Sequence, residues 1–193
     1  GKNEIMATGQ KEVTYNVGWL KYGNPDSDII IHHKDSTPVL YKSPREFALW
    51  STQSRNSEID NISYIEIFDD AEILKEINII DTPGLDALRG KDSQNTLDFI
   101  QKVRPDAVIM LFTKSVSENV LDIVRQYNAG SSFNPLNAIG VLAKIDVLWQ
   151  ETIERDKMAL QIGERMTKNK LKKEPMLQKT LFNIFPISAL LLI

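Results

Sequence analysis

The chain has 193 residues, 42% hydrophobic and 25% charged, with 9 glycines and 8 prolines, which excludes wholesale disorder, collagen and low-complexity architectures. Lys and Arg number 23 against 26 Asp and Glu, a net charge of -3, so a basic nucleic-acid binder is not indicated and no nucleic-acid partner is expected. Cysteine is absent, which removes disulfide scaffolds, zinc ribbons and thiol nucleophiles and is compatible with a reducing, cytoplasmic setting.

The first predicted strand is Glu12 to Tyr22, where Val13, Tyr15, Val17 and Trp19 alternate with Thr14, Asn16 and Gly18. Gly23-Asn24-Pro25-Asp26 ends it as a turn. Extended runs follow at Asp28 to His33 and Pro38 to Lys42. Adjacent His32 and His33 fall on opposite faces of such a strand, so they do not chelate one metal and read as ordinary histidines. Ser43-Pro44-Arg45-Glu46 predicts a helix start, with Ser at the N-cap, Pro first and Glu third, leading into Phe47, Leu49 and Trp50. Ile62, Tyr64, Glu66 and Phe68 alternate with Ser63, Ile65 and Ile67, which is another strand.

From Ile77 the pattern changes. Ile77 to Ile80 predicts a short buried strand, Thr96 to Val103 a helix, Ala107 to Phe112 an apolar strand and Glu118 to Tyr127 a helix. Ala138 to Ala143 is a strand, Gln150 to Lys168 and Glu174 to Lys179 are helical, and Leu181 to Ile187 is a last strand. The basic run from Arg165 to Lys173 has no interleaved aromatics for base stacking and reads as a solvated surface. No stretch reaches the ~20 apolar residues that span a bilayer, and no apolar signal-peptide core opens the chain. Apolar strands alternating with helices predict an α/β fold, a mostly parallel sheet with helices on both faces. The chain opens Gly1-Lys2-Asn3 without Met and stops inside the apolar run from Leu181, so it is expected to be a piece of something longer.

In open α/β sheets ligands sit beyond the carboxyl ends of the strands. Asp81-Thr82-Pro83-Gly84 follows the strand at Ile80. A carboxylate there can serve Mg²⁺ through water, and the Gly84 amide can meet a γ-phosphate with no side chain in the way. Alone, the same four residues are also ordinary turn chemistry. Lys144-Ile145-Asp146 follows the strand at Leu142. Asp146 can accept from a guanine's N1 and exocyclic amine while the Lys144 stem lies along the base; alone, the pair is also a plain strand end. Ser188-Ala189 follows Ile187 and can turn backbone amides toward a base oxygen.

D-x-P-G, then K-x-D, then S-A, each directly after an apolar strand, is the order and spacing of a GTPase. From Gly1 to its end the chain resembles P-loop GTPases, and within them it is most similar to the bacterial dynamin-like group. The opening Gly1-Lys2-Asn3-Glu4-Ile5-Met6-Ala7-Thr8-Gly9 resembles the segment after the P-loop helix of that group. The long interval from Thr14 to Asp81 and Leu85 in place of a water-orienting Gln fit it as well.

The resemblance implies that Thr14 is the switch I threonine, serving Mg²⁺ and the attacking water. It implies Asp81 and Gly84 at Mg²⁺ and the γ-phosphate, and Lys144, Asp146, Ser188 and Ala189 at the guanine. The implied reaction is GTP hydrolysis to GDP and phosphate with Mg²⁺, and residues 1–193 would be a GTPase-domain fragment. Homodimerisation through the nucleotide face, a peripheral membrane contact made by regions outside this chain, and membrane remodelling are implied for the parent.

Two departures stand beside the resemblance. No residues fit G-x-x-x-x-G-K-[ST], so the P-loop is expected upstream, and the sheet is expected to lack a central strand and to self-associate. Ala143 stands where Asn or Thr is usual. The alternatives are a ribosome-assembly-type GTPase, disfavoured by the long Thr14–Asp81 interval and the acidic balance, and a GTPase-like module without a P-loop that binds a partner and does no catalysis.

Overall fold

The computed structural model describes residues 16–51, 57–83, 98–112, 137–143, 145, 161, 163–169 and 173–187, together with Val124. The chain divides into two compact units, Gly1–Lys102 and Val103–Ile193.

The first unit is built on a five-stranded sheet in the order β3-β2-β4-β1-β5. Its strands are β1 (Val17–Tyr22), β2 (Ile29–His33), β3 (Leu40–Lys42), β4 (Ile62–Asp69) and β5 (Ile79–Asp81). β-branched and aromatic residues dominate β2 and β4, as a pleated, half-buried surface favours. Among the described strands of this sheet only β1 and β4 run parallel; β1–β5, β2–β3 and β2–β4 are antiparallel. The mostly parallel sheet predicted from the sequence is therefore corrected for this half of the chain. The reason is connectivity: β2 and β3 are joined by a loop too short for a crossover, and only their antiparallel pairing closes it.

Strand alternation separates two faces. Leu20, Ile29, Ile31, Ile65 and Ile67 point to one and form a core with Phe47, Ile59, Ile62 and Leu74. Phe47 comes from α1 (Phe47–Ser51), Ile59 from α2 (Ser57–Asp60) and Leu74 from a 3-10 turn at Glu72–Lys75. The opposite face carries Trp19, Lys21, His32, Tyr64 and Glu66, and Phe99 of α3 (residues 98–103) packs on it. Helices on both faces are thus present on this sheet. Past α3, Arg104 takes a left-handed φ of 52° and Pro105 follows, a stop that a helix cannot run through.

The second unit holds β6 (Val108–Phe112), β7 (Ala138–Leu142) and β8 (Ile184–Pro186), an all-parallel sheet in the order β6-β7-β8. Here the strands read from the sequence at Ala107 to Phe112, Ala138 to Ala143 and Leu181 to Ile187 match the outcome. Met110, Phe112, Val124, Leu142, Leu177, Leu181 and Ile184 are buried. Residues 163–169 form α4, and Pro175–Thr180 form α5, close to the predicted Glu174–Lys179.

Three local expectations change. Ile77 precedes β5 rather than belonging to it, and Ile79 is 42% exposed, so that strand is not the buried one predicted. Ser43 makes no side-chain cap; its carbonyl accepts from the Glu46 amide, and Pro44–Glu46 form a 3-10 turn before α1. Leu49, placed among the apolar residues of that helix, is 67% exposed, because a five-residue helix buries only one stripe. The predicted helices at Glu118 to Tyr127 and Gln150 to Lys168 fall largely outside the described residues, as do Trp149 and the start of the first predicted strand.

Candidate functional site

Asp81 is the last residue of β5, opposite Gly18 of β1 across an antiparallel pair. The strand end places its carboxyl half-buried, and that burial pushes its pKa above the ordinary carboxylate value; a hydrogen bond donated by the Thr82 amide opposes the shift. A carboxylate offers about four acceptor positions, and among the described residues the Thr82 amide takes one. Oxygen donors of this kind suit Mg²⁺. A partly desolvated carboxylate is also a strained anion until a cation meets it, so the donor chemistry at Asp81 fits Mg²⁺. Pro83, two residues on, is fully buried.

In the second unit the C-terminal ends of the three parallel strands are laced together. The Ala143 amide donates to the Phe112 carbonyl at 2.9 Å, and the Ile187 amide donates to the Leu142 carbonyl at 2.9 Å. The chain therefore leaves β6, β7 and β8 at one edge of one sheet, where α/β folds place ligands. Lys144 follows Ala143 directly in sequence, and Ser188 follows Ile187. Gly140, in β7, lets this packing close: a Cβ there would meet Ile184 Cγ1 and Phe112 Cε2 at 2.8 Å and Leu181 Cδ1 at 3.2 Å.

Thr14, Gly84, Lys144, Asp146, Ser188 and Ala189 lie outside the described residues. Asp81 is the predicted site residue that the structure describes, together with the strand ends that lead to Lys144 and Ser188. Among the described residues, no group of three or more His, Cys, Asp or Glu is arranged to hold a metal ion, and no helix is long and apolar enough to cross a membrane.

One cluster escaped sequence reading. On the face of the first sheet that carries Phe99, Glu66 Oε2 lies 2.9 Å from Lys21 Nζ, and Glu66 Oε1 lies 3.0 Å from His32 Nε2. The His32 ring stacks on Tyr64 with centroids 4.1 Å apart and planes at 10°. Lys21 Nζ sits 4.1 Å from the Trp19 ring centre. His33 is separated from this cluster by a register shift and pairs its Nδ1 with the Pro38 carbonyl at 3.1 Å. The histidines thus engage different partners, as expected for adjacent strand residues. His32 nevertheless belongs to a cluster, which only the cross-strand register could reveal.

No family model matches the chain, and no curated protein matches it. Two solved structures of an oligomerised bacterial dynamin pair, described as providing a mechanism for long-range sensing and tethering of membranes, do match. Their TM-scores are 0.54 and 0.56, at 16% identity, over 90% of this chain. The chain spans 25% of the length of each of those chains. It has a dynamin-like fold.

Proposed function

We propose that this chain is part of the GTP-binding and GTP-hydrolysing domain of a dynamin-like protein, with residues 1–193 contributing the switch and base-recognition motifs. The observation that carries the reading is Asp81: an acidic residue closing a strand, half-buried, at the head of D-T-P-G in a dynamin-like fold. In this reading Asp81 and Thr14 hold Mg²⁺, which neutralises charge on the phosphates when bound. The Gly84 amide binds the γ-phosphate, and Thr14 orients the attacking water. Asp146 accepts from the guanine, the Lys144 stem lies against the base, and Ser188 and Ala189 turn amides toward its oxygen. The backbone cradle for the β- and γ-phosphates is supplied by polypeptide outside these residues, since G-x-x-x-x-G-K-[ST] is not among them. Dimerisation across the nucleotide and action at a membrane would belong to the parent protein, by analogy with the membrane-tethering dynamin pair.

The test is fluorescent GTP binding with Mg²⁺, competed by GTP and by ATP, on this chain and on a version extended upstream through a P-loop. Binding by the extended version, displaced by GTP and not by ATP, is expected, and Asp146→Ala is expected to weaken it and relax the base preference. Absence of binding in both would leave a GTPase-like fold that works by partner contact. Unchanged base preference in Asp146→Ala would remove that residue from the site.

A further inference from the structure

Trp19 meets the chain on both sides of the D-T-P-G sequence. On β1 it lies opposite Ile80 of β5, and its neighbour Gly18 lies opposite Asp81. Its ring then meets Phe99 of α3 edge-on, with centres 5.9 Å apart and planes at 83°. Tyr64 of β4 closes the group, its ring centre 4.9 Å from that of Phe99 and 5.8 Å from that of Trp19. Phe99 is 4% exposed, so its ring is packed away by this contact. Tilted and edge-on pairs at such separations are attractive arrangements of aromatic rings.

We propose that Trp19 is a positioning residue for GTP hydrolysis: it fixes both ends of the segment that runs from Asp81 to Phe99. The inference rests on the function proposed above, which puts Asp81 at Mg²⁺ and the Gly84 amide at the γ-phosphate. The near end is held by backbone pairing, Trp19 against Ile80, one residue before Asp81. The far end is held by rings, Phe99 against Trp19 and Tyr64. A segment with both ends on one strand samples fewer arrangements than a segment tied at its start alone.

The consequence falls on rate. Donors already in place when charge develops on a transferring phosphoryl group need no reorganisation at that moment. Affinity for the nucleotide draws also on the phosphate cradle and the base contacts, which are made equally before and during reaction. Loosening the far end therefore costs turnover more than binding.

The experiment is single-turnover GTP hydrolysis beside equilibrium binding of fluorescent GTP, both with Mg²⁺, in the version extended upstream through a P-loop. Phe99→Ala is expected to slow hydrolysis about tenfold, the scale of a displaced reacting group, while affinity stays close to that of the wild type. Trp19→Phe keeps a ring for Phe99 and is expected to retain most of the wild-type rate, whereas Trp19→Leu is expected to lose it. Ile65→Ala is the control for stability alone. Ile65 is fully buried on the opposite face of the same sheet, so its cavity is expected to lower the melting temperature and leave the rate unchanged.

If Phe99→Ala does not fold, Phe99→Leu, which keeps an apolar side chain without a ring, replaces it. If neither folds, the contrast between Trp19→Phe and Trp19→Leu decides. A wild type that hydrolyses no GTP overturns the function proposed above and the positioning role with it. With hydrolysis present in the wild type, three results overturn the positioning role alone: an unchanged rate in Phe99→Ala, an equal fall of rate and affinity, or an equal slowing in Ile65→Ala.

Discussion

Gly140 shows how little room a single residue has in the second unit. Its missing Cβ is the space that Ile184, Phe112 and Leu181 fill. Gly140→Ala forces a methyl into three packed side chains, and overpacking of this kind typically costs about 1–3 kcal/mol. Urea denaturation is the measurement, with an unchanged slope and a lower midpoint expected. Asp81 works in the other direction. Its carboxyl pKa is raised by burial, so the folded state holds its proton more tightly than the unfolded one. The stability present below the ordinary carboxylate pKa is therefore lost as pH rises through the folded value. Asp81→Asn removes that penalty: without Mg²⁺ or nucleotide its melting temperature at neutral pH is expected to exceed that of the wild type. A lower melting temperature would mean that the carboxylate is satisfied by contacts within the chain and is not held ready for a cation. His32 carries the opposite charge type and a lowered pKa, so the unfolded chain binds its proton first. Stability is then lost as pH falls below the ordinary histidine value, and His32→Gln should flatten that acid limb of the melting curve.

At the level of elements, the two sheets are stabilised differently. β4 is central in the first sheet, and Ile65 at its middle has no solvent exposure. Ile65→Ala should cost about 2–5 kcal/mol by the lost transfer term and the cavity left behind. Among the described strands β6 lies at an edge, apolar from Val108 to Phe112, and Ile109 and Leu111 on its one face are 63% and 71% exposed. Edges that stay monomeric are usually blunted by charge, proline or a bulge, and this one has neither charge nor proline. Self-association of the isolated chain is the expected consequence, and sedimentation velocity on Leu111→Lys should show it reduced. A monomer in the wild type at high concentration would contradict this. β3 is also an edge, but it is three residues long, follows Pro38 closely and ends at Lys42, which is how an edge is kept from pairing further.

For the whole molecule, the prediction is linkage between nucleotide and fold. If the proposed site is assembled only when a phosphate cradle is added, GTP with Mg²⁺ should leave the melting of the 193-residue chain unchanged. It should stabilise the extended version by about 2.7 kcal/mol at a hundredfold excess over Kd. Equal stabilisation of both would mean that these residues bind nucleotide by themselves. The chain spans 25% of each bacterial dynamin chain it matches, so dimer contacts and membrane attachment are questions for the longer protein.

The sequence by itself determined most of what is local. Period-two alternation located β1 and β4, the apolar runs located β6 and β7, and the turn at Gly23-Asn24-Pro25-Asp26 marked where β1 stops. It also placed Asp81 at a strand end, because an apolar run and the polar residue that breaks it are both visible in one dimension. The tertiary structure decided pairing. Nothing in the side chains of β1, β2, β4 and β5 states which strand lies beside which or in what direction, since hydrogen-bonded backbone is the same for every residue. The antiparallel half of the architecture, the exposure of Ile79 and the meeting of Lys21, His32 and Glu66 all follow from that register. Residues far apart in the chain share a cluster only when the sheet brings them to one face, and sequence spacing carries no trace of it.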